Sequence, residues 1–326
     1  MTRVARVLRD RWNAFFFEGY SAESLGLLRI ALGLAVIPFF AHQYQSLLAL
    51  DPHGPGFYYI EPIWYFEALG IDHHAPLVTY LVFGVLLVCA VTMSLGVFTG
   101  TSIVLVMLAV VYLKGVRDSM SGDVHHREII PFHVLALLAL SAAGSVYSLS
   151  GAPGKVRRRI AAWEASWPIK AMQLYACSFY FWSGVAKLRV SGLDWFADGS
   201  RLQEILLFRS VRYGFSDSGQ PSDNPLAQYL AYHPNVLLPL SVATIVMEVG
   251  FPLLLLVRSA RWRLVLLVGV AAFHVANFVL LNVQFLLLPL FFVIFFDLRR
   301  PWVMTRVYAR RRAWLARPRA AAQATS

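Results

Sequence analysis

Residues 262–298, WRLVLLVGVAAFHVANFVLLNVQFLLLPLFFVIFFDL, decide the fold class. A bilayer-spanning helix needs about 20 mostly apolar residues, and this run is long enough for two. Asn282 and Gln284 put a polar break in its middle and divide it into 262–281 and 283–298. Moving outward, the same criterion marks 24–46, 76–98, 101–115, 129–149, 167–188 and 235–257, the third of them short. The chain therefore reads as all-α: a polytopic integral membrane helical bundle of about eight transmembrane helices, forming a single domain over 1–326.

Composition points the same way. Hydrophobic residues make up 58% of the 326 and charged residues 14%, with mean hydropathy +0.59. A soluble domain carries about a quarter charged residues, so lipid is the natural solvent here. The formal charge of +11 sits in short clusters between apolar runs rather than on one face. That pattern sets topology and touches anionic lipid, and it argues against a nucleic-acid partner. Cys89 and Cys177 both fall inside apolar runs, with no disulfide framework and no zinc-ligand spacing.

Loop charges orient the bundle. The 47–75 segment holds Asp51, Glu61, Glu67 and Asp72 without a Lys or Arg, and is expected outside. Lys155 with Arg157 to Arg159, Arg258 with Arg261 and Arg263, and the C-terminal arginines from Arg299 onward are expected inside. Eight crossings with both termini cytoplasmic satisfy all of these, and the expected location is the cell (inner) membrane. At 1–20, Val4, Val7, Leu8, Trp12, Phe15 and Phe16 recur at helical spacing among arginines, as expected of an amphipathic helix on the membrane surface. A second interfacial segment is expected over 301–317, and no cleaved signal is read at the N-terminus. The 189–234 segment is too long for a turn. Within it, the apolar stretch Leu202 to Phe208 dips into the membrane or packs on the outer surface.

Ionisable residues inside spans are costly, so they mark functional candidates as well as hydrogen-bonded glue. Gln173, Tyr180 and Lys187 repeat every seven residues along one stripe, with Gly184 beside Lys187. Lys187 closes the fifth span, either as a desolvated amine able to act as a base or as a side chain snorkelling to headgroups. Trp195 is an interfacial anchor or a substrate platform, and Asp198 a helix cap or an acid. His125 and His126 precede the fourth span. They are solvated loop residues, or one of them serves proton transfer or oxyanion stabilisation. His274 and Asn277 share a face of the seventh span, and either is the expected partner of Glu248 in the sixth. Arg29 is expected to snorkel or pair locally. Nothing here has metal-ligand spacing, and the Walker loop, dinucleotide fingerprint, HExxH and GxSxG motifs are absent.

Taken together, GVAKL at 184–188, DWFADGSRLQEIL at 194–206 and FHVANFVLLNVQF at 273–285 resemble the membrane domain of vitamin K-dependent gamma-glutamyl carboxylase and the wider HTTM family. Glu248, ahead of an apolar run, and a histidine before the fourth span complete the ordered set. The resemblance implies that Lys187 deprotonates a vitamin K-type hydroquinone, such as menaquinol, and that His126 stabilises negative charge. It also implies that His274, Asn277, Glu248, Tyr180, Gly184, Trp195, Asp198 and His125 shape the quinone pocket. Oxygen and carbon dioxide are the implied co-substrates, and carboxylation or oxidation of an extracytoplasmic substrate the implied outcome. Ala186 stands where the animal enzyme has a second lysine, and the large lumenal region of that enzyme has no counterpart after the eighth span. The alternative is a non-enzymatic membrane factor for maturation, export or transport of a secreted peptide or small molecule.

Overall fold

Proline and glycine punctuate most of the helices in the computed structural model of the chain, which describes residues 3–17, 19–59, 61–121, 128–150, 160–212, 224–257, 259–281, 283 and 285–299. Helix α1 (Arg3–Phe17) leads to α2 (Ala22–Gln43), whose Ser21 cap accepts from the Ser24 amide. The short α3 (Gln45–Leu48) and α4 (Trp64–Ala68) flank a two-residue strand β1 (Phe57–Tyr58). Strand β2 (His73–His74) pairs antiparallel with β1, Phe57 opposite His74. Helix α5 (Pro76–Leu95) starts on a proline at its first turn and stops at Gly96, in the left-handed region at φ 74°. Helices α6 (Thr99–Ser121) and α7 (Ile129–Ala139) follow, then the 30-residue α8 (Ala162–Ser191). Beyond it lie α9 (Ser200–Arg212), α10 (Pro225–Ala231), α11 (Pro234–Gly250) and α12 (Ala260–Leu281).

The architecture is almost entirely helical, and among the described residues five helical segments are long and apolar enough to cross a membrane: Ala22–Gln43, Pro76–Leu95, Thr99–Met120, Pro234–Leu255 and Ala260–Leu281. The other three expected spans differ from their sequence reading. The 129–149 run is α-helical only to Ala139 and continues as a 3₁₀ turn at Ala143–Ser145. The 283–298 run forms a 3₁₀ helix, Leu288–Phe295, with Pro289 in its first turn. Helix α8 is long enough but carries Lys170, Lys187 and Arg189 among its apolar residues. In the opposite sense, the short third span extends to Ser121, past the charged residues that ended it on paper. The interfacial segment 301–317, the basic cluster at 155–159, Arg258, and the Asn282 and Gln284 break lie outside the described residues.

Helix α2 sits at the centre. Its Leu25, Leu28, Leu32, Val36, Phe39 and Phe40 are fully buried against α5, α8 and the Leu288–Phe295 segment. The outward faces of α5, α11 and α12 stay apolar and exposed, as at Leu81, Val88, Val246 and Val268, which suits contact with acyl chains rather than water. Helix α1 leaves Val4, Leu8 and Trp12 exposed while resting on α8. Arg29 neither snorkels nor finds a carboxylate. Fully buried, it donates to the carbonyls of Ser94, Ala143, Val146 and Tyr147 at 2.7–3.3 Å. Ser94 ends α5 and the other three follow α7, so the guanidinium satisfies carbonyls where helical bonding has stopped and the dipole is negative. A separate small core of Leu206, Ala227, Ala231 and Leu237 ties α9 and α10 to the start of α11. The Leu202 to Phe208 stretch thus lies within an amphipathic helix that packs Leu202, Leu206 and Leu207 on its neighbours and leaves Phe208 exposed.

Candidate functional site

Helices α8 and α11 meet at Gly184. A Cβ there would come within 2.7 Å of Val249 Cγ2 and 3.0 Å of Glu248 Cβ, so only glycine permits this approach without a shift. One turn further along α8, Lys187 Nζ reaches both carboxylate oxygens of Glu248, at 2.6 and 2.7 Å. Glu248 is nearly enclosed, its side chain 6% exposed, while that of Lys187 is 32% exposed. This pairing replaces both sequence expectations for these residues. Lys187 does not extend away to headgroups, and the partner of Glu248 is neither His274 nor Asn277. A buried carboxylate needs a cation more than it needs a neutral donor, and α8 delivers one.

Another member of the stripe, Tyr180, lies about two turns below Lys187. Its Oη is 2.5 Å from Nε2 of His274 on α12, and its ring stacks on Phe251 at 4.2 Å between centroids. Gln173 is used structurally, donating to Tyr20 Oη and to the Ile294 carbonyl. With the phenol donating to Nε2, the neutral imidazole keeps its proton on Nδ1. That Nδ1 is buried and has no hydrogen-bond partner among the described residues, and the same holds for Trp195 Nε1. Both residues are 4% exposed.

They do share a place. A cavity of about 340 Å³ is lined by Lys187, Glu248, Tyr180, His274, Asn277 and Trp195, with Leu202 and Ile205 of α9 and Phe273 among its apolar walls. Six of the predicted site residues are therefore brought together, and Gly184 supports them by letting α11 approach. Trp195 is held by its own backbone, whose carbonyl accepts from Ser241 Oγ at 2.7 Å. Asp198 is not part of this group. It is exposed and accepts from the Ser200 amide at 2.9 Å at the head of α9, a bond that holds its carboxyl below the usual range. His125 and His126 lie outside the described residues.

On its apolar side the cavity shares Leu202, Thr244, Phe273, Asn277 and Leu281 with a larger cleft of about 730 Å³. That cleft runs between α11 and α12, and apart from Thr244 and Asn277 its lining is glycine and apolar side chains. One reason the helices part there is the loss of α-helical geometry after Gly250, where Pro252 begins a 3₁₀ turn at Phe251–Leu255.

A second charged group was not anticipated from the sequence. At the end of α6, Arg117 donates to Glu128 (2.5 Å) and to Asp118 (3.0 Å), Lys114 contacts Asp118, and Arg117 lies 5.7 Å from the Tyr44 ring. Among the described residues, two cations face two carboxylates. The i,i+4 spacing of Lys114 and Asp118 was its available signal. Among the described residues, no three His, Cys, Asp or Glu side chains are grouped to hold a metal. No family model, curated protein or solved structure matches the chain.

Proposed function

We propose that this protein is a multi-pass membrane enzyme that binds a lipid-soluble hydroquinone and uses oxygen to drive carboxylation or oxidation of a substrate on the extracytoplasmic side. The supporting observation is the joined pair of spaces. A small cavity that holds an ion pair, with Tyr180, His274, Asn277 and Trp195 in its walls, shares Leu202, Thr244, Phe273, Asn277 and Leu281 with a larger apolar cleft. A ligand with two ring oxygens and a prenyl tail matches that division, the head among Lys187, Glu248, His274 and Trp195 and the tail between α11 and α12. The resemblance of the 184–206 and 273–285 segments to vitamin K-dependent gamma-glutamyl carboxylase and the HTTM family supports the same ligand class, and with it menaquinol as the first candidate.

Eight crossings with both termini cytoplasmic, in the cell's inner membrane, complete the proposal, since loop charges then fall on consistent sides. His126 belongs to it as a stabiliser of negative charge. The bound hydroquinone supplies the reducing equivalents. The chain's own part is to orient the head, hold its acidic proton at the Lys187–Glu248 end and keep water from the apolar side.

Oxygen uptake by purified protein in proteoliposomes containing menaquinol tests this, with labelled carbon dioxide present to separate carboxylation from oxidation. Uptake above that of empty vesicles is expected, and it falls by about 5- to 150-fold in His274→Ala, given the ~1–3 kcal/mol carried by a buried polar partner. If no prenylated hydroquinone is consumed or bound, the proposal fails.

A further inference from the structure

This inference rests on the reading that the cavity receives the acidic O–H of a lipid-soluble hydroquinone. We infer that Glu248, not Lys187, accepts that proton, while Lys187 remains an ammonium that fixes the carboxylate and stabilises the oxyanion left on the substrate.

The geometry of the pair carries the argument. Both carboxylate oxygens of Glu248 lie within 2.7 Å of Lys187 Nζ, the arrangement of an ammonium donating to a carboxylate. An ammonium has three donors and no lone pair, whereas a carboxylate offers about four acceptor sites and keeps some free beside one cation. Among the described residues Glu248 has no other cationic partner and Lys187 no other carboxylate. In this arrangement the group ready to take a proton is the carboxylate, and it is also the more deeply enclosed of the two.

Charge accounting favours the same direction. The substrate O–H bond breaks, its electron pair stays on the substrate oxygen, and the proton forms an O–H bond on a Glu248 oxygen. The ammonium's counter-ion changes from the carboxylate to the oxyanion, so no net charge appears in a medium of low dielectric. For Lys187 to act as the base, the pair would first have to neutralise itself by moving a proton onto Glu248. The end state would be the same, reached through an extra step. Gly184 matters here because it sets the separation of α8 and α11 at the level of the pair.

Two substitutions separate the roles. Arginine keeps the cation and stays protonated, so it can stabilise an oxyanion but cannot serve as a base. Lys187→Arg is expected to retain hydroquinone turnover within about tenfold of the native protein, and Glu248→Gln to lose ~10²–10⁴-fold. The partly exposed Lys187 in Glu248→Gln can reach water, and folding is checked by helical circular dichroism and gel filtration. Infrared difference spectra on binding of the hydroquinone give a readout independent of turnover. A protonated-carboxyl band is expected in the native protein and in Lys187→Arg, and its absence in Glu248→Gln. A native protein without that band, or a Lys187→Arg variant as inactive as Lys187→Ala while Glu248→Gln turns over, overturns the assignment and leaves the hydroquinone reading standing. A native protein that neither binds nor consumes any hydroquinone overturns that reading and this assignment with it.

Discussion

At the scale of single residues, cost identifies the important positions. Lys187, Glu248 and His274 were legible in the sequence because ionisable groups in apolar runs demand an explanation. Their partners were not. Glu248 and His274 both needed one, and the simplest pairing joined them to each other, yet the structure gives Glu248 to Lys187 and His274 to Tyr180. Which residue of α8 meets which of α11 depends on helix register and crossing, and a single sequence carries neither. Gly184 tests that register. Replacement by Val forces a branched side chain into Val249 and Glu248, and a loss of about 1–3 kcal/mol is expected. Thermal unfolding in detergent measures that loss, and activity should drop with it. The α6 charges offer a second test. Arg117→Met leaves Asp118 and Glu128 short of a cation, and a buried pair broken on one side costs ~3–5 kcal/mol. An unchanged melting temperature would show the cluster to be solvated.

At the scale of elements, long apolar helices were readable and their irregular ends were not. Helices α2, α5 and α12 lie close to their expected positions because length and apolarity suffice to define them. The 3₁₀ segments at 143–145, 251–255 and 288–295 depend on local carbonyls finding other donors, such as Arg29 for Ala143 and Arg263 for Phe295. The small β1–β2 ladder includes a side chain that couples stability to pH. His74 is fully buried, its Nε2 paired with Thr79 Oγ1 at 2.9 Å, and desolvation holds its pKa below the ordinary histidine value. A neutral buried histidine binds fewer protons when folded than when unfolded. Its contribution is therefore intact above the unfolded pKa of about 6.5 and declines as pH falls through that value. Melting temperatures across this range should decrease on acidification, and His74→Phe should flatten that part of the profile.

At the scale of the whole molecule, the helices divide the work. Helices α2, α5, α6 and α7 form much of a tightly buried core, while α8, α9, α11 and α12 surround the ion-pair cavity and its apolar neighbour. Gly269 lines the cleft on α12, and a Cβ there meets nothing within 4 Å. Gly269→Trp should therefore fold normally and occupy the space assigned to the tail. It is expected to raise KM for a prenylated hydroquinone by about 4- to 15-fold, the worth of one to two lost methylene contacts at ~0.8 kcal/mol each. A tailless analogue should be unaffected. Equal effects on both would place the tail elsewhere.

The cleft between α11 and α12 faces the direction in which Val246, Leu253 and Val265 are exposed. A reactant arriving by that route is already dissolved in the bilayer, and its supply is a two-dimensional density. Rates measured at fixed bulk substrate should then fall when inert lipid is added and recover when the mole fraction is restored. Such surface dilution would make membrane composition, rather than aqueous availability, the variable that sets how fast this protein works.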